Sequence, residues 1–117
     1  MKTISILLLV LAVVVSTHGQ ETGVQPLLNK YIQLKDALVE SNAQVAAAQG
    51  KTLSETISLV DATRLQVNER KEFMAEKNLL LKMALKISKT NDIEQQRTAF
   101  TELSVSLWKV VVAAEGV

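Results

Sequence analysis

Residues 68–114 read NERKEFMAEKNLLLKMALKISKTNDIEQQRTAFTELSVSLWKVVVAA, without a single glycine or proline. In the first half Phe73, Leu80, Ala84 and Ile87 recur at steps of seven, four and three. In the second half Ile93, Phe100, Leu103, Leu107 and Val111 do the same. These steps return a side chain to one face of an α-helix, and the two rows are read as core stripes. Asn68 is placed to cap the first helix, with Glu69 and Glu72 in its opening turn and Lys82, Lys86 and Lys89 toward its end. That charge order suits the helix dipole. Asn91 with Glu94 caps the second helix, which runs to about Ala114. The stretch therefore predicts a hairpin of two long helices.

Both helices are more apolar than one buried face requires. Met74, Leu81 and Leu85 form a second row on the first helix, and Val105, Trp108 and Val112 form another on the second. Bundle helices that touch neighbours on two sides show such rows. So do helices that leave an apolar face for another chain. The six residues are accordingly the candidate interface, with Trp108 foremost.

Working toward the N-terminus, Pro26 suits a first helical turn, where its missing N–H costs nothing, and Leu27, Tyr31, Leu34 and Leu38 follow on one face. Ser41-Asn-Ala-Gln44 has the form of a capping box opening a further helix. Its seam is Ala46, Leu53 and Val60, with Ala43, Gly50 and Ile57 as the companion row. Gly50 costs a helix about 1 kcal/mol relative to alanine, and its place in the buried row predicts close approach of a neighbouring helix. Residues 61–67 lose the helical period and read as a connection. The fold class expected is all-α, an antiparallel bundle of four helices, one short and three longer.

The N-terminus carries Lys2 followed by an apolar run from Ile4 to Val15, then Ser16-Thr17-His18-Gly19. A membrane span needs roughly 20 apolar residues, so residues 1–19 are expected to be a signal peptide cleaved after Gly19. Residues 20–25 are a polar lead-in and 26–117 the helical bundle domain. The expected location is periplasmic or secreted, without membrane insertion after cleavage.

Loss of the leader takes Lys2 from the 13 basic residues, leaving 12 against 12 acidic ones. A neutral chain offers no basic patch for nucleic acid, so none is expected as a partner. The only histidine, His18, lies in the leader, and there is no cysteine. Hydrolysis through a serine or cysteine nucleophile lacks its base. Glu69, Glu72 and Glu76, or Glu94 and Glu102, read as solvated helix faces rather than a carboxylate pair. No glycine-rich phosphate loop occurs. Met74 and Met83, the soft-metal ligands left, are nine residues apart, so they point to opposite sides of a helix. Met83 reads as a core residue and Met74 as packing or contact. The chain is expected to be no enzyme and to need no cofactor or resident metal.

Three segments carry a family resemblance: YIQLKDAL at 31–38, the alanine-rich helix from Asn42 through Asp61, and DIEQQRTAFTELSVSL at 92–107. Together they resemble the bacterial domain of unknown function 3347. Its pattern at the start of the last bundle helix is matched by Asp92, Ile93, Glu94, Gln96, Arg97, Phe100, Leu103 and Ser104. On their own, Asp92 and Glu94 read as partners of the helix dipole and Arg97 as a salt-bridging anchor. The resemblance implies a periplasmic domain, alone or fused to adaptor subunits of heavy-metal, particularly copper, efflux systems. It also implies a following segment with a Cys-Pro-Met motif, which would begin where this sequence stops at Val117. A bundle-only or truncated member is therefore expected. Two functions follow as expectations: an interaction module whose protein partner is an efflux adaptor or a second copy, or a periplasmic metal-binding or chaperone protein.

Overall fold

The computed structural model describes residues 23–114, and over them the chain is a bundle of four α-helices. The expected leader and its cleavage after Gly19 lie outside the described residues, as does the start of the polar lead-in. Helix α1 spans Gln25–Val39, α2 Ala43–Leu59, α3 Val67–Ser88 and α4 Ile93–Ala114, and a 3-10 turn at Ala62–Arg64 lies between α2 and α3. Their lengths are 15, 17, 22 and 22 residues, so α1 is shorter than α2 by only two. Neighbours in sequence pack side by side, and α1 also reaches α4. Tyr31 meets Ser104 while Leu38 meets Arg97, so α1 and α4 run in opposite directions.

The core forms from one stripe of each helix: Leu27, Leu34 and Leu38; Ala46, Leu53 and Ile57; Phe73, Leu80, Ala84 and Ile87; Leu103, Leu107 and Val110. Met83 joins it, as expected. Two expected rows need correction. Val60 lies just past the end of α2 and is only half-buried, and Ala43 likewise, so the α2 row is Ala46, Gly50, Leu53 and Ile57. On α4, Ile93, Phe100 and Val111 are half-buried at the margin of the core, and the buried row is Gln96, Ala99, Leu103, Ser106, Leu107 and Val110. The stripe is turned because Gln96 and Ser106 find polar partners inside the bundle.

Gly50 holds α2 against α3. A Cβ on it would stand 2.9 Å from the Ala84 carbonyl oxygen and 2.9 Å from Ile87 Cγ2, closer than real Cβ atoms come. The glycine inside the helix is thus the price of close helix contact.

Pro26 lies in the first turn of α1 as expected, while the predicted caps of α2, α3 and α4 shift by a residue or two. The α2 cap is Asn42, whose side chain accepts from Val45 N–H at 3.1 Å, rather than Ser41. Ser41 closes α1 instead, in the left-handed region at φ 57°. Asn42 N–H donates to Ala37 O and Ser41 N–H to Leu38 O, the double bond of a Schellman motif, with serine where glycine is usual. Helix α3 is capped by Gln66, with the Glu69 carboxylate returning to the Gln66 N–H at 3.3 Å, rather than by Asn68. Helix α4 is capped by Asp92, which accepts from the N–H groups of Glu94 and Gln95, rather than by Asn91. At α2 and α4 the residue chosen is the one whose side chain the preceding turn aims at the open N–H groups.

The α2–α3 connection is held by Arg70. Its guanidinium donates to Ala62 O at 2.9 Å, Leu65 O at 3.0 Å and Thr63 O at 3.3 Å. Asp61 caps the 3-10 turn by accepting from the Thr63 N–H and hydroxyl. The Thr63 hydroxyl, then its N–H, hold the Asp61 carboxyl below the usual value of 3.8.

Candidate interaction surface

The residues that carry the resemblance lie at one end of the bundle, where α4 begins beside the α1–α2 corner. Asp92 opens α4. Gln96 is fully buried, and the two N–H groups of its amide donate to Thr90 O at 2.8 Å and Ala43 O at 2.9 Å, with Ile87 O at 3.3 Å sharing one of them. It therefore joins the start of α2, the end of α3 and the α3–α4 loop, supplying a donor where the end of α3 leaves carbonyls open. Arg97 pairs with Glu94 at 3.1 Å and donates to Leu38 O at 2.9 Å and Ser41 Oγ at 2.8 Å. It anchors as expected, mainly across the α1–α2 corner.

One and two turns further along, Phe100 stacks on Tyr31 with ring centroids 4.9 Å apart. Ser104 Oγ donates to Phe100 O, so its single proton is used, and the Tyr31 hydroxyl donates to Ser104 Oγ at 2.8 Å. Leu103 lies in the core and Ile93 packs at its edge. These eight positions thus build a clamp between α4 and the first two helices. Their work is structural.

The carboxylates need one correction. Glu69 and Glu76 are not solvated. Glu69 is buried as the return half of the α3 capping box. Glu76 accepts from the buried Ser106 hydroxyl at 2.7 Å and stands 3.9 Å from Lys109 Nζ. Both are tied into helix packing. Among the described residues no group of three or more His, Cys, Asp or Glu side chains could hold a metal ion. Met83 is in the core and Met74 is 55 % exposed, so the two do not converge.

The two surplus apolar rows line different grooves. On α3, Leu85 is exposed and Leu81 half-buried against the core. Together with Leu59, Ser54, Glu55 and Ser58 of α2 they line an open groove between α2 and α3. Met74 continues the row toward the start of α3. Leu59, 83 % exposed, is an apolar residue that the sequence reading passed over. Its signal was its place two residues beyond Ile57, off the buried row of α2. On α4, Val105 is 57 % and Trp108 64 % exposed, and Val112 is half-buried. Trp108, Lys109, Val112 and Ala113 line a second open groove with Glu72 of α3. The six candidate residues therefore form two faces, one on each side of α3. Among the described residues no helix is long and apolar enough to cross a membrane.

No curated protein and no solved structure matches the sequence. The sequence model of one family, described as protein of unknown function (DUF3347), matches residues 27–116. That span includes α2, α3 and the clamp of α4, and the chain belongs to this family.

Proposed function

We propose that the chain is an exported, non-enzymatic interaction module, an accessory to a periplasmic heavy-metal efflux system that binds an adaptor subunit. The observation that carries this reading is the open groove of Leu59, Leu81 and Leu85 between α2 and α3. Leu59 is 83 % and Leu85 40 % exposed, and covering the apolar surface they leave open stabilises a contact by about 25 cal/mol per Å². A rigid helical groove of this kind suits the apolar side of a helix from a partner. The class of partner comes from the family resemblance.

The carboxylates support the non-enzymatic half. Glu69 and Glu76 are engaged in capping and in the Ser106 bond, which leaves them unsuited to moving a proton to a substrate.

The test is co-purification. Tagged chain recovered from the periplasm after cross-linking should carry a heavy-metal efflux adaptor identified by mass spectrometry. Leu85→Glu should remove that adaptor while leaving helical content unchanged. Absence of the adaptor from the wild-type sample, or equal recovery with Leu85→Glu, would contradict the proposal.

A further inference from the structure

We infer that the exposed face of α4 is a twofold contact between two copies of this chain, packed antiparallel about Val105. This assignment rests on the interaction-module reading and names the occupant of the second of its two faces.

The side of α4 turned from the core runs Glu94, Thr98, Thr101, Glu102, Val105, Trp108, Lys109 and Val112. All but the half-buried Val112 are exposed. Steps of roughly 100 degrees put Thr98, Val105 and Val112 along the middle of this face. Thr101 and Trp108 fall on one flank, and Glu102 and Lys109 on the other. The pattern is a seven-residue repeat, the spacing of a helix-to-helix seam.

Orientation is decided by the flanks. In an antiparallel pair related by a twofold axis, each flank faces the same flank of the other helix. Centred on Val105, that sets Glu102 opposite Lys109 of the second copy, and Lys109 opposite its Glu102. On the other flank Trp108 lies over Thr101, and along the middle Val112 meets Thr98. From Thr98 to Val112 each position of the face then meets a partner it can pack or pair with, and the two ion pairs are generated by the symmetry itself. A parallel pair would face the charged flank with the Trp108 flank and leave both charges unmatched. Within its own bundle Glu102 takes part in none of the ion pairs among the described residues, and Lys109 stands 3.9 Å from Glu76 with half its side chain exposed. Both are free to turn outward.

The chain has one tryptophan, so Trp108 reports on this face directly. Exported chain is examined by sedimentation equilibrium and by Trp108 emission over about a hundredfold range of concentration at low salt. The expected result is a monomer–dimer equilibrium, with the emission maximum moving to shorter wavelength as dimer forms. Glu102→Lys alone and Lys109→Glu alone should each weaken dimerisation by about tenfold, because each replaces two attractions with two repulsions. An equal mixture of the two variants should restore it, since the mixed pair regains both contacts. A monomer at every concentration would overturn the inference and leave the face to another protein. So would a dimer that the charge reversals do not touch, or one that forms without a change in Trp108 emission. None of these outcomes depends on the adaptor, so this contact and the α2–α3 groove stand or fall separately.

Discussion

Gln96 lies within hydrogen-bond distance of three backbone carbonyls, and so ties the start of α2, the end of α3 and the α3–α4 loop together. Gln96→Met should cost about 2–4 kcal/mol, because it fills the space but leaves buried carbonyls without donors. Gln96→Glu should cost more at neutral pH, since a carboxylate would face the same oxygens. Burial there raises the carboxyl's folded-state value above its unfolded one. Its penalty is therefore smallest at acid pH and grows as pH rises through that interval. Thermal denaturation of both variants across pH checks this. Asp61 acts in the opposite sense: its depressed value supplies stability above about pH 3.8 that is lost as pH falls through the lower folded value. Asp61→Asn should flatten the acid limb of the wild-type stability curve. Gln96 was legible only in part. The resemblance marked it as a motif residue, but the core stripe was read through Ile93, Phe100 and Val111, and a glutamine reads as surface until the carbonyls that receive it are brought together by the fold.

The helix pairs and the corner show the same division at the scale of elements. Helix type, number and order follow from periodicity, and Gly50 announced a close helix contact without saying which neighbour makes it. Gly50→Ala should destabilise by about 1–3 kcal/mol despite alanine's better helix propensity, because its Cβ would meet the Ala84 backbone. Urea denaturation measures the difference. Helix starts were less legible. Polar residues able to cap crowd each junction, and which of them caps depends on the path of the preceding chain. Ser41 illustrates this: it adopts a left-handed conformation that favours glycine, and its hydroxyl receives Arg97. Arg97→Met should cost about 1–2 kcal/mol by releasing that hydroxyl and the Leu38 carbonyl. Arg97→Lys should recover only part of this, since one ammonium replaces a fork of donors.

In the whole molecule the surplus rows on α3 and α4 become two faces on either side of α3. Sequence identified the residues of both rows, because seven-residue recurrence is visible in one dimension. It did not show that the rows lie on separate grooves, or that Leu59 completes one of them, because those facts depend on how α2 and α4 flank α3. The family resemblance located the α4 clamp, and the structure gives that clamp a packing role. The proposed contacts accordingly use the faces away from it. A chain acting by contact rather than by carrying metal should show no stoichiometric Cu(I) uptake in a competition titration, Met74 and Met83 being far apart in environment. The most direct measurement is a calorimetric titration of the chain with a purified heavy-metal efflux adaptor subunit. Saturable binding that Leu85→Glu abolishes, with its circular dichroism spectrum unchanged, is the result predicted. No binding, or binding that the substitution leaves intact, would contradict the account.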